Sequence, residues 1–299
     1  MWKSRKEFDV SISTFVLPIL TGLASGMIRY LTASGMSLVM SGMGTINFAQ
    51  GAFYILGSLI TYMLTRTYEL PFFLSVLLAF LITFLLGAVT ELALRGVFGK
   101  DMTFSMLITM GICYIVCDYM IFQFGTAIKT VSMPDALRGI INLGSGIIIP
   151  VYYVFAIVVS GLIALVFWIM FKKTKIGIYF RAIISDRNMV ENLGINVQTM
   201  YTLMFMIGVG LAGLAGAISS PMLGVTPSQG LFAFNQIMPI LIIGGMDNMS
   251  GALPAALVLG VLEALAAIFF PQYYNVVPYA FMVICMVFRP RGLFAKKVR

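Results

Sequence analysis

The sequence predicts an all-α, polytopic membrane protein with about 8–10 spanning segments, some of them short, broken or re-entrant. Three observations carry that reading. Of 299 residues, 60% are hydrophobic and only 10% are charged, where a soluble domain carries roughly 25% charged residues. The apolar runs are long and continuous rather than alternating over about ten residues, which argues against a β-barrel. The basic residues gather in short connections and at the termini, so the net charge of +8 reads as an inside-facing topology signal and not as a nucleic-acid surface.

The chain opens on MWKSRKEFDV, a charged tail without an evident cleavable signal, followed by a stretch that can span. Apolar segments then fall at roughly 11–31, 34–46, 50–66, 71–94, 102–124, 150–171, 199–221, 235–246, 252–270 and 274–288. The second and eighth are short and glycine-rich and read as half-helices or re-entrant pieces. Ten passes would keep Lys3, Arg5 and Lys6 on the same side as Arg95, Lys100 and the C-terminal Arg289, Arg291, Lys296, Lys297 and Arg299. Merging the short pieces into eight passes would do the same. Both termini are therefore expected in the cytoplasm. The whole chain, 1–299, reads as a single transmembrane domain. Residues 125–149, with Pro134, Gly139, Gly144 and Gly146 between β-branched runs, read as a small extracytoplasmic hairpin.

There is no histidine, which removes the commonest general base and metal ligand. Cys113, Cys117 and Cys285 all lie in apolar segments and read as packing residues, with no metal site. No catalytic constellation is present, and an enzyme is not expected.

Three polar places stand out in this apolar chain. The first is Lys172–Gln198, which holds five of the nineteen basic and two of the eleven acidic residues. Lys172, Lys173 and Lys175 end a helix where cations suit the dipole and an anionic leaflet. Ser185 can cap a short helix through Leu193, with Asp186 in its first turn and Gly194 as its left-handed stop. Met189, Val190 and Leu193 would form an apolar ridge, flanked by Arg187, Asn188, Glu191 and Asn192. Alone such a helix is unstable in water, so it reads as a knob for a partner's groove. Lying on the membrane surface is the alternative.

The second place is Ser34–Gly57, where Asn47, Gln50 and Gly51 sit among glycines, serines and threonines. Amides and unwound backbone at membrane depth are tolerated only when buried in protein or lining a cavity. A polar path and close helix packing both suit them. The third is Pro221–Gly251, interrupted by Pro227 and Pro239, with Asn235 and Gln236 opening an apolar run. Broken helices of this kind point to binding sites, though a merely re-entrant loop fits as well. Glu263 lies mid-segment, about 16 Å along its helix at 1.5 Å per residue. It reads as an internal hydrogen-bonding post, a solute contact or a proton site. Asp118 and Glu91 read as interfacial, the latter pairing with Arg95 one turn on.

The motifs then resemble a known family. RAIISDRNMVENLGIN (Arg181–Asn196) is similar to the cytoplasmic coupling loop of the branched-chain amino acid type of ABC-transporter permease, with Arg181-Ala182, Asp186, Met189 and Leu193–Asn196 in place. Asn47–Gly51 resembles that family's N-F-A-[HQ]-G motif. Gly244–Ala252 resembles its G-G-x-G-x-x-x-G-A turn, Gly260–Ala264 its G-x-x-E-A helix, and Pro290–Phe294 its P-x-G-L-F end. The likeness runs over about residues 14 to 295. Two positions depart from it. Asp247 replaces the third glycine of the turn, and Arg29 stands where a small or apolar residue is expected.

The resemblance implies the membrane subunit of a binding-protein-dependent importer in a bacterial or archaeal cytoplasmic membrane. Its partners would be a homologous permease subunit, two ABC ATPase subunits and a periplasmic or extracellular solute-binding protein. Residues 181–194 would be the ATPase handle, and Asn47, Gln50, Gly51, Asn235, Gln236 and Glu263 candidates for the path. ATP and Mg would bind the partner subunits, with no cofactor on this chain, which has no G-x-x-x-x-G-K-[ST] phosphate loop. Solutes would be branched-chain amino acids or other small polar molecules. The rival reading is an ion-coupled secondary transporter using Glu263 or Asp118.

Overall fold

The computed structural model describes residues 12–96, 102–142, 148–246, 248–290 and 292–294. Lys3, Arg5, Lys6, Lys100, Gly144, Gly146, Asp247, Arg291, Lys296, Lys297 and Arg299 lie outside them. The chain is a bundle of helices: α1 (Ile12–Met43), α2 (Gln50–Arg66), α3 (Phe72–Leu94), α4 (Met102–Phe124), α5 (Val151–Lys173), α6 (Lys175–Ser185), α7 (Arg187–Asn192), α8 (Val197–Ser219), α9 (Gly230–Gly244), α10 (Met249–Phe269) and α11 (Val277–Phe288). Six of these, α1, α3, α4, α5, α8 and α10, are long and apolar enough to cross a membrane. The shorter α2, α9 and α11 have 17, 15 and 12 residues.

One expectation is corrected at once. The two segments expected at 11–31 and 34–46 are joined by a single helix, α1 (Ile12–Met43), running on through Pro18. The glycines that suggested a break serve packing instead. Gly35 lies against the Gly208 backbone of α8, and Gly26 and Gly22 lie against Ala256 and Gly260 of α10. Small residues let helix backbones approach this closely. The order of these contacts makes α1 antiparallel to both neighbours. As one pass, α1 departs from the ten-pass count and matches the merging of the second piece that the eight-pass count assumed.

The helix ends follow from local chemistry. Gly44 stops α1 with φ +66°, and Gly245 stops α9 with φ +91°, a region that carries no Cβ penalty for glycine. Pro71 and Pro150 immediately precede α3 and α5, where extended backbone leads into the first turn. Asn196 caps α8 by accepting the Thr199 N–H at 3.1 Å.

The bundle is organised around α8, the most buried of the spans. Helices α1, α2 and α3 pack on it. At Gly216 a Cβ would meet the Tyr54 carbonyl of α2, and at Gly213 it would meet the Thr83 side chain of α3. Outside this centre, α3, α4 and α5 expose Leu85, Val89, Leu107, Ile115, Phe122, Leu162 and Val166. In water such a surface would aggregate, and in a bilayer it is the ordinary lipid face. Cys113 and Cys117 are buried on the inward face of α4, and Cys285 is also buried. At the end of the bundle away from α6 and α7, Ile140–Asn142 (β1) pairs antiparallel with Ile148–Pro150 (β2). Lys129 bridges to Val225 there.

Candidate functional site

The polar segment 172–198 is more ordered than a loop. Thr174 accepts the Gly177 N–H at 3.2 Å and so opens α6, a helix absent from the sequence reading. Its apolar face buries Gly177, Phe180 and Ile183. Ser185 ends α6 rather than capping the next helix. The cap is Asp186, whose Oδ1 accepts the Met189 N–H at 3.1 Å. Helix α7 therefore has six residues, not the longer Ser185–Leu193 stretch. Gly194, at φ +78°, closes it with paired bonds, Gly194 N–H to Glu191 O at 3.0 Å and Ile195 N–H to Val190 O at 3.4 Å. This is the pattern of a Schellman stop.

The expected apolar ridge divides in two. Val190 is 2% exposed, while Met189 and Leu193 are 61% and 69% exposed. At 100° per residue, Met189 and Leu193 share a face and Val190 turns off it. Val190 joins Val197 and Tyr201 in the core beneath, so it is the anchor and the other two are the knob. Arg187 pairs with Glu191 at 2.9 Å and lies 5.5 Å over the Tyr201 ring. The hydrogen bond to Glu191 pushes the Arg187 pKa further up. Arg181 turns back, donating to the Phe171 carbonyl with its guanidinium 5.7 Å over the Phe171 ring. It caps α5 and leaves the outward surface to Arg187, Met189, Glu191 and Leu193.

The six candidate path residues do not form one site. Asn47, Gln50 and Gly51 come together at the break between α1 and α2. Asn47 Oδ1 accepts the Ala49 N–H at 3.1 Å. Gln50 Nε2 donates to Thr32 O at 3.3 Å and Gly208 O at 2.9 Å, tying α1 and α8 to the start of α2. Gly51 meets the Gly230 carbonyl and Phe234 of α9. These residues are buried, and Asn47 Nδ2, Gln50 Oε1, Thr32 Oγ1, Ser41 Oγ and Thr45 Oγ1 have no protein partner. Orphaned polar atoms of this kind are costly at membrane depth.

Gln236 and Glu263 belong to a second place, a cleft between α1, α9, α10 and α11 lined also by Arg29, Asn275 and Tyr279. Glu263 is not a lone post. It accepts both Nη1 and Nη2 of Arg29, the latter at 3.1 Å. The signal for this pair was available in the sequence. Arg29 and Glu263 are opposite charges, each inside an apolar segment, and intramembrane charges pair. Asn235, on the neighbouring face of α9, is exposed and joins neither group.

Glu91 lies one turn from the end of α3 and pairs with Arg95 as expected, but it is packed within the protein rather than facing out. It is fully buried. It accepts from Arg95 at 3.3 Å, Gln198 at 2.7 Å and Thr202 at 2.7 Å. The polar pair Gln198 and Thr202, four apart on an otherwise apolar helix, was the signal that sequence reasoning missed. Asp118 is exposed near the end of α4.

A family model described as the branched-chain amino acid transport system permease component matches residues 18–286. The chain belongs to this permease family. Its relatives include the high-affinity branched-chain amino acid transport permease BraD of Pseudomonas aeruginosa, 26% identical over 94% of this chain and 96% of that one. A probable LivH of Methanocaldococcus jannaschii is 25% identical over 88% and 87%. The ribose import permease RbsC of Haemophilus influenzae is 27% identical over 77% and 72%. Among solved structures, PsaBC of Streptococcus pneumoniae, in complex with Fab, shares the fold with a TM-score of 0.51 at 14% identity, covering 91% of each chain.

The permease's C-terminal motif now has a place. Gly292, at φ +96°, lies against the Gly245 backbone. The Leu293 N–H donates to Ile243 O at 2.9 Å, and Asn248 Nδ2 donates to Phe294 O at 2.5 Å. The P-x-G-L-F end thus clamps the glycine turn between α9 and α10. The permease is a multi-pass, non-enzymatic transport subunit of an inner-membrane type, built for an ABC importer.

Proposed function

We propose that this chain forms half of the translocation path of an ATP-driven importer for branched-chain amino acids or a related small polar solute. A binding protein delivers the solute outside, and two ATPase subunits drive the permease from inside. ATP and Mg belong to those subunits. A homologous permease subunit completes the path. The observation that carries the reading is α7. It is a doubly capped helix, anchored by Val190, that presents Met189 and Leu193 to water at one end of a membrane bundle. An exposed apolar knob with charged flanks fits a partner groove. Arg187 and Glu191 would set the orientation of docking.

This assigns α6, α7 and the C-terminal clamp to the cytoplasmic side and the β1–β2 hairpin to the opposite side. Because α1 runs antiparallel to α8, whose first turns adjoin α7, α1 begins at the end of the bundle opposite α7. The expected cytoplasmic N-terminus therefore rests on the charge of Lys3, Arg5 and Lys6 and is opposed by the direction of α1. The orphaned polar atoms around Asn47 and Gln50 support a path at the α1–α2 break, closed in this conformation. Relatives named for branched-chain amino acids outnumber the one named for ribose, which supports an amino acid as solute. The secondary-transporter reading is weakened by the Arg29–Glu263 pair, which ties up one of its two candidate carboxylates.

Reconstitution tests the reading. Vesicles holding the permease, its partner permease and the ATPase subunits should accumulate leucine with binding protein and internal ATP. Uptake by this chain alone, driven by an ion gradient, would contradict it.

A further inference from the structure

We infer that Glu91 is the positioning residue that makes α3 and α8 move as one body, so that a stroke received at α7 enters the membrane undiminished. The inference rests on the proposed coupling role of α7.

Among the described residues, Glu91 is the only charged one that is fully buried. A carboxylate so placed is costly unless its oxygens are filled. Here they are, by donors from two helices. Arg95, at the C-terminal cap of α3, donates to it through Nη2 at 3.3 Å, with the longer Nε contact at 3.5 Å. Gln198 Nε2 and Thr202 Oγ1 of α8 donate at 2.7 Å each. Arg95 Nη2 also reaches Thr202 Oγ1 at 2.9 Å, which closes the network into a ring.

The location gives the ring its meaning. Gln198, Tyr201 and Thr202 all lie in the opening turns of α8, directly after the Gly194 stop. Tyr201 takes Arg187 of α7 over its ring, while Gln198 and Thr202 hold α3. The first turns of α8 are therefore gripped by α7 on one side and by Glu91 on another. Deeper in the bundle, α3 and α8 touch with no slack. A Cβ at Gly213 would meet Thr83, one at Gly210 would meet Phe84 and Phe80, and one at Gly87 would meet Met206 and Val209. Packing resists sliding along this seam, and charge-assisted hydrogen bonds at its α7 end resist twisting. Without Glu91, α7 could still dock and still swing the end of α8, but α3 would follow late or in part.

The consequence is specific. Removing the carboxylate should lower transport more than it lowers ATP turnover. In vesicles holding the whole complex, Glu91→Ala should give about a tenfold fall in solute moved per ATP hydrolysed, the size expected when one element of a coupling network is cut. A merely structural role would lower transport and hydrolysis together, in proportion to the complex recovered. A wild-type ratio in Glu91→Ala would overturn the inference. If that variant does not assemble, Gln198→Leu with Thr202→Val removes the α8 donors and leaves the carboxylate with Arg95. Its ratio should fall as well, and an unchanged ratio there would overturn the inference equally. The wild-type complex separates the two readings. If it shows no ATP-driven uptake, the proposed function fails. If it does, only the role of Glu91 is in question.

Discussion

The Arg29–Glu263 pair can be tested by a double-mutant cycle. Its two side chains are 19% and 14% exposed, and they join α1 to α10 beside the Gly22–Gly260 approach. At the 3.1 Å separation of Nη2 and Oε1, an effective dielectric of about 20 gives an attraction of about 5 kcal/mol. Desolvation of both ions removes a large part of this, so a net coupling of about 2 kcal/mol is expected from the cycle. Arg29→Met strands a mostly buried carboxylate, and Glu263→Met strands a guanidinium. Each single change should cost about 2–3 kcal/mol, which for a chain of this size lowers the melting midpoint by about 5 °C. The double variant should cost about 2–4 kcal/mol, about 2 kcal/mol less than the sum of the single losses, because it leaves two apolar side chains in an apolar cleft. Size-exclusion chromatography of detergent-solubilised protein after heating reads the midpoints. Additive losses in the double variant would refute the pairing argument.

Two further outcomes follow from the same geometry. The native cysteines are all buried, so Met189→Cys should give a single maleimide-reactive position, about fully labelled in the free permease and protected several-fold when ATPase subunits are bound. Equal labelling rates in both states would remove α7 from the interface. Gly216→Val should force α2 away from α8, since a Cβ there would lie 1.8 Å from the Tyr54 carbonyl oxygen. A cost of about 3 kcal/mol or more and loss of monodisperse protein are expected, whereas Gly111→Ala, with nothing within 4 Å of its Cβ, should be neutral.

The sequence shows where polarity interrupts the bundle but not what each interruption meets. Apolar length alone located nearly every helix, because a spanning helix must be long and continuous. Gly194 was legible because a short helix needs its stop close by, whereas Asp186, read as a first-turn charge, proved to be the cap itself. Long-range partners were not legible. Gly35 reads as a break until Gly208 is seen against it, and Glu91 reads as a partner of Arg95 alone until Gln198 and Thr202 arrive from over a hundred residues away. Arg29 and Glu263 lie 234 positions apart. Only the rule that buried charges pair could have joined them. The ridge on α7 failed for a different reason. Its period was read correctly as helical, but a six-residue helix has room for one outward face and one anchor, and the burial of Val190 depends on α8.

The role of α7 rests most directly on uptake by the full complex carrying Met189→Asp with Leu193→Asp, a change that spares the buried Val190. Leucine accumulation driven by internal ATP should fall to background in this variant, with folded permease recovered at wild-type yield and ATPase subunits lost on purification. Wild-type uptake with a stable complex would show that the knob on α7 is not the handle by which the permease is driven.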